Sequence, residues 1–130
     1  MTLHTLLVDT KKEKISSKKA KKFILSEENG AESIFIGRVR NENSGKKVKA
    51  VTYDAHDNAV LKSFKIICDD AKSKFDKNAK VFLEHAKGYV PVGEISILIA
   101  VSSGHRDEAF KICRYILEEI KHQSPIWKKE

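Results

Sequence analysis

An α+β fold is predicted, a mainly antiparallel sheet packed with two long amphipathic helices and a shorter N-terminal helix. Three observations carry it. Apolar residues recur at spacings of three and four over residues 58–75 and 107–121, the signature of one buried helical face. Short runs rich in Val, Ile and Phe, bounded by Gly, Pro and Asn, separate these stretches and read as strands. No repeat, low-complexity segment or linker divides the 130 residues, so residues 1–130 are expected to form a single domain with its own core.

Taken in order, LHTLLVD (residues 3–9) is a short first strand, and SKKAKKFILSEENG (17–30) a helix closed by Gly30. AESIFIGRVR (31–40) alternates Ile34 and Ile36 with other residues and reads as a strand. The turn-rich NENSGKK (41–47) leads into a second strand, VKAVTYDA (48–55), and the two runs are expected to pair as a hairpin. Val60, Phe64, Ile67, Ala71 and Phe75 form one face of the helix that follows. AKVFLEHA (79–86) and GEISILIAVSS (93–103) are two further strands, with regular structure broken between them at Pro91 and Gly93. In the last helix Ala109, Cys113, Ile116 and Ile120 define the buried face, with Phe110 and Leu117 beside it. Pro125 ends that helix. If the tail is extended, Ile126 and Lys128 share one face and Trp127 and Lys129 the other, and a buried Trp127 would pin the tail and aim Lys128.

Composition bounds the function. With 41% hydrophobic and 33% charged residues the chain is neither disordered nor membrane-embedded, and its longest apolar run, ISILIAVSSG, is far short of the ~18 residues of a spanning helix. The first residues contain no continuous hydrophobic run and no small-residue cleavage site, so a cytoplasmic location is expected. Cys68 and Cys113 lie on apolar helical stripes, outside any metal-ligand spacing, and read as small buried hydrophobes; no metal or cofactor is expected. Six of the seven net positive charges fall in residues 11–22, KKEKISSKKAKK. No aromatic residue interleaves with these lysines, which disfavours nucleic acid as a partner. The competing reading, a non-catalytic basic binding module for nucleic acid or a carrier protein, would need this segment to dominate.

Three places set residue choice against local rules, which is where function is expected. Arg38 and Arg40 project to one side of an extended strand, and guanidinium forks suit phosphates and carboxylates. Arg106 opposes the dipole at the start of the last helix, where with His105 it offers an anion site. Lys121 closes that helix, and Lys128 and Lys129 directly follow the only Trp in the chain.

At these residues the sequence resembles the catalytic (large) subunit family of molybdopterin synthase. GAESIFIGRVRNENSGKKVKAVTYDA, PVGEISILIAVSSGHRDEAFKICRYILEEIK and PIWKKE carry the resemblance, in the right order and spacing, over roughly residues 30–130. It implies a sulfurtransferase that makes the dithiolene of molybdopterin from cyclic pyranopterin monophosphate. The sulfur would arrive as the C-terminal thiocarboxylate of a small ubiquitin-like carrier subunit, with a homodimer of this chain at the centre of a heterotetramer. By resemblance Lys121 and Lys128 are catalytic, and Arg38, Val39, Arg40, His105, Arg106, Lys121, Lys128, Lys129 and Glu130 bind substrate. The sequence departs from the family in having His85-Ala86 where many members have His-Arg. It also ends at Glu130 where many continue with a basic tail, so contacts made by such a tail would fall to Lys87 or the partner subunit.

Overall fold

A computed structural model describes residues 1–129 and shows eleven elements. They are β1 (Leu3–Asp9), α1 (Ser17–Ile24), β2 (Ala31–Arg38), β3 (Glu42–Asn43), β4 (Lys46–Lys47), β5 (Ala50–Ala55), α2 (Asp57–Phe75), β6 (Lys80–Pro91), β7 (Ile95–Ser103), α3 (Arg106–Gln123) and β8 (Ile126–Lys129). The main sheet runs β2-β7-β6-β5-β8, antiparallel throughout, with β1 added in parallel to β6. This is the α+β architecture the periodicities predict.

Both faces of the central strands are covered. Val81 and Leu83 of β6 and Ile97, Ile99 and Val101 of β7 meet Val60, Phe64 and Ile67 of α2 and Ile112, Ile116 and Ile120 of α3. The alternate residues Phe82, Ala86, Leu98 and Ala100 pack with Val8 beneath Ala20 and Ile24 of α1. The period of two in the strands is therefore read twice, once by each helical layer. A buried carboxylate helps hold the α1 side: Glu84 meets His4 Nε2 at 2.7 Å and Lys19 Nζ at 3.6 Å. Cys68 and Cys113 are buried and free, as expected, and burial pushes the Cys68 thiol up to about 12.

The structure corrects four expectations. The first helix stops at Ile24, not Gly30, because Ser102 Oγ donates to the Ile24 carbonyl at 2.6 Å and stands in for the next helical turn. The runs before and after NENSGKK are not paired: β2 bonds β7 and β5 bonds β6, so two strands separate them. The hairpin lies inside the loop itself, where Ser44 and Gly45, both with positive φ, turn β3 into β4. Phe110 faces solvent, and Ile112 takes a place in the core of α3.

The fourth difference lies in β6. No break falls at residues 87–91; the strand runs twelve residues, and the turn comes only at Val92–Glu94. Within β6, Gly88 has φ +105. Before it the strand pairs with β7 and β1; from it onward the strand pairs with β5. Glycine is required there on two counts. The backbone lies where L side chains are strained, and a Cβ would fall 2.6 Å from Thr10 Oγ1. Gly88→Ala should therefore cost about 1–3 kcal/mol of stability, read as a lower denaturation midpoint in urea. An unchanged midpoint would contradict the strain.

Candidate functional site

The end of α3 and the strand after it converge on one cavity. α3 carries Asp107 and Glu108 in its first turn and Lys121 in its last, each sign placed where the helix dipole favours it. Pro125 prevents continuation, and the backbone turns at Ser124, whose hydroxyl bonds that of Ser63 on α2 at 2.6 Å. The chain then runs antiparallel to β5, Ala55 opposite Ile126 and Tyr53 opposite Lys128. Lys121 and Lys128 both line a cavity of about 330 Å³, together with Tyr53, His85, Ser96 and Trp127.

Trp127 does not pin this tail by burial. It is 41% exposed, with its ring 5.1 Å from that of His56. The anchor is the β5–β8 ladder, aided by Ile126 packed against the α2–α3 core. Ile126 packs against the core, and Ile126, Trp127 and Lys128 all line the cavity, whereas the exposed Lys129 does not.

The arginines gather next door. A polar hollow of about 80 Å³ is lined by Arg38, Val39 and Arg40, and shares Tyr53 and Lys128 with the larger cavity. Arg38 leaves β2 at a register shift and donates from Nη1 to the Gly93 carbonyl at 2.8 Å, which fixes its guanidinium. Val39 is buried, its side chain in the α1-side core. Four cations from three separate segments and one carboxylate, Glu42 in the smaller hollow, thus border two adjoining spaces, a net positive arrangement suited to an anionic ligand with two charged parts.

His105 and Arg106 lie elsewhere. His105 occupies the N-cap of α3 without a side-chain hydrogen bond, and both residues are exposed. Arg106 to Lys121 spans most of α3, roughly 22 Å at 1.5 Å per residue. No small molecule bridges them within one chain. Lys87 pairs with Asp57, 2.7 Å from Nζ, and that hydrogen bond is the first cause that raises its pKa. Glu130 lies outside the described residues.

His85, Tyr53 and Ser96 were not singled out by the sequence. The signal for His85 was present, since Val81 and Leu83 alternate onto the α2–α3 face and His85 continues the series. His85 is 7% exposed, packs edge-on to Tyr53 at 5.0 Å, and bonds the Ala86 carbonyl through Nδ1 at 2.8 Å. Burial lowers its pKa below the usual imidazole value, the carbonyl contact working the other way. Ala86 points to the opposite face, into the α1-side core, so the departure from His-Arg removes nothing from the wall formed by His85. Among the described residues no three His, Cys, Asp or Glu cluster to hold a metal, and no helix is long and apolar enough to cross a membrane.

Trp127 is the only tryptophan and a natural reporter for this cavity. Its emission should be red-shifted relative to a buried indole and quenched by iodide. A blue, iodide-insensitive emission would contradict its exposure.

The family model described as MoaE protein matches residues 10–123 of this chain. The molybdopterin synthase catalytic subunit of Nostoc sp. (strain PCC 7120 / SAG 25.82 / UTEX 2576) is 41% identical over 102 residues, which cover 78% of this chain and 62% of that protein. The protein of the same name from Drosophila melanogaster is 42% identical over 101 residues, again 78% of this chain but 28% of its own length. The chain thus spans less than two thirds of either relative. The X-ray crystal structure of molybdopterin synthase from Staphylococcus aureus is similar to all of this chain and to 90% of its own, with a TM-score of 0.86 at 31% identity.

Proposed function

This chain belongs to the MoaE family, and from that premise we propose that it is the catalytic subunit of a molybdopterin synthase, with residues 1–130 working as one unit in the cytoplasm. In this reading it takes sulfur from the C-terminal thiocarboxylate of a small ubiquitin-like carrier. It inserts that sulfur into cyclic pyranopterin monophosphate to build the dithiolene of molybdopterin.

The observation that carries the reading is the convergence of Lys121, from the end of α3, and Lys128, from β8, on one cavity beside the Arg38–Arg40 hollow. Both reactants are anions: a thiocarboxylate and a phosphate ester. Arg38 and Arg40 fit the phosphate, since a guanidinium fork matches its oxygens. Lys121 and Lys128 fit the thiocarboxylate and the charge that develops as its sulfur bonds to a pterin carbon. Position decides their worth. Two unit charges 4 Å apart interact by about 1 kcal/mol in water but about 4 kcal/mol at the effective dielectric of a partly enclosed site. Their roles here are charge stabilisation and proton transfer rather than covalent attachment.

The distance along α3 bears on His105 and Arg106. β2 is an edge strand, with Phe35 and Phe110 exposed around an apolar groove of about 480 Å³ that also holds Cys113 and Leu117. A second copy paired about a two-fold axis on this edge would run its α3 antiparallel to the first. That brings its His105 and Arg106 to the Lys121 end, which unites the substrate residues that one chain keeps apart. A homodimer carrying one sulfur carrier per protomer follows from this reading.

Lys121→Ala and Lys128→Ala should each lower molybdopterin formation by about 10²–10³ while the fold persists, assayed with thiocarboxylated carrier and cyclic pterin. Near-normal turnover by either folded variant would remove that lysine from the mechanism. The shared site has its own test. Lys121→Ala and Arg106→Ala homodimers, mixed under exchange, should recover roughly a quarter of wild-type activity, because half the dimers are mixed and each of these holds one intact site. Activity no higher than that of the two variants assayed apart would place all the residues of a site in one chain.

A further inference from the structure

Sulfur transfer leaves a chemical step that the lysines and arginines do not supply. Once the thiocarboxylate sulfur has bonded to a pterin carbon, the carrier's acyl group is still attached to that sulfur. Releasing the carrier takes water, and water attacks an acyl carbon fast only when a base receives its proton. The two cavity lysines, as ammonium groups, donate and do not accept. Ser96 already donates its hydroxyl hydrogen to the Gly37 carbonyl at 3.2 Å.

His85 is built to accept. Its Nδ1 lies 2.8 Å from the Ala86 carbonyl, and a carbonyl only accepts, so Nδ1 carries the hydrogen. In the neutral ring Nε2 then bears the lone pair. Among the described residues Nε2 has no hydrogen-bond partner, yet no fully buried side-chain nitrogen or oxygen is unsatisfied, so Nε2 opens to the cavity that His85 lines. Tyr53 packs edge-on against the ring and fixes its plane.

We propose that His85 is a catalytic residue of this site, with Nε2 the general base for the water that cleaves the acyl–sulfur bond between carrier and pterin. The proposal rests on the sulfurtransferase reading above. The water oxygen bonds to the acyl carbon while one of its protons passes to Nε2. The carbon–sulfur bond breaks, its electron pair stays on sulfur, and the sulfur remains on the pterin as a thiolate beside the Lys121 and Lys128 ammonium groups. The carrier leaves as a carboxylic acid that loses its proton to solvent. Burial keeps His85 neutral near pH 7, as a base must be. The charged or titratable groups that share its cavity, Tyr53 of β5, Lys121 of α3 and Lys128 of β8, include no carboxylate that would hold it protonated.

The test uses the full chain with thiocarboxylated carrier and cyclic pterin. Folded His85→Gln should lose about 10²–10⁴ in kcat with little change in KM for the carrier. In a single turnover it should accumulate a carrier–pterin acyl adduct visible by intact mass. Added imidazole should restore part of the rate of His85→Ala, which a purely structural role would not allow. A folded His85→Gln with wild-type kcat and no adduct overturns the assignment. Should both variants fail to fold, the wild-type pH profile decides: kcat must fall on the acid side at a pH below the ordinary imidazole value of about 6.5, and a profile that stays flat to the acid limit of folding overturns it. Product from wild type together with an unaffected variant refutes His85 alone, whereas no product from wild type refutes the parent reading and this step with it.

Discussion

The candidate site depends on a change of partners along one strand. β6 pairs with β1 and β7 up to Lys87 and with β5 from Gly88 onward, and the positive φ at Gly88 is the hinge of that exchange. β5 is thereby set where its free side can take one more strand. β8 fills that position, and with it Lys128 arrives opposite Tyr53. Remove the bend and β5 loses its place, and the terminal lysine its direction.

Burial and charge divide the work around the cavity. His85 projects from β6 into the interior side and is kept neutral by desolvation, whereas Lys121 and Lys128 approach from element ends that reach solvent. A helix C-terminus already favours a cation, so Lys121 sits there at little cost to folding. The arginines occupy the bulged exit of β2, where Arg38 is locked to the Gly93 carbonyl. The four cations come from three separate segments, so they converge only in the folded chain.

Much of this was legible in the sequence for a physical reason: apolar periodicity reports burial directly. The two long helices and the β1, β6 and β7 strands follow from spacing, and the extended tail follows from Pro125. What spacing does not report is pairing. The expected hairpin between residues 31–40 and 48–55 failed because the turn signal at Ser44-Gly45 was satisfied locally by β3 and β4, while the longer strands found partners far along the chain. Pro91 and Gly93 suggested an early break that Gly88 made unnecessary. An aromatic in a terminal segment suggests burial, but Trp127 stays partly exposed because backbone pairing suffices to hold that segment. Lys121, Lys128, Arg38 and Arg40 stand out by local rules, take their roles from the resemblance, and converge in space; His105 and Arg106 stand out the same way, and only a second copy would bring them in.

Hydrogen exchange at the amides of residues 126–129 tests the central claim, that the terminal strand is an ordered wall of the site, most directly. The strand pairing predicts exchange clearly slower than in an unstructured chain, with protection across β8 that tracks β5 and falls together with it when denaturant is added. Exchange of these amides at the unstructured rate, while β6 and β7 stay protected, would mean that Lys128 is not held against the cavity and would contradict the account.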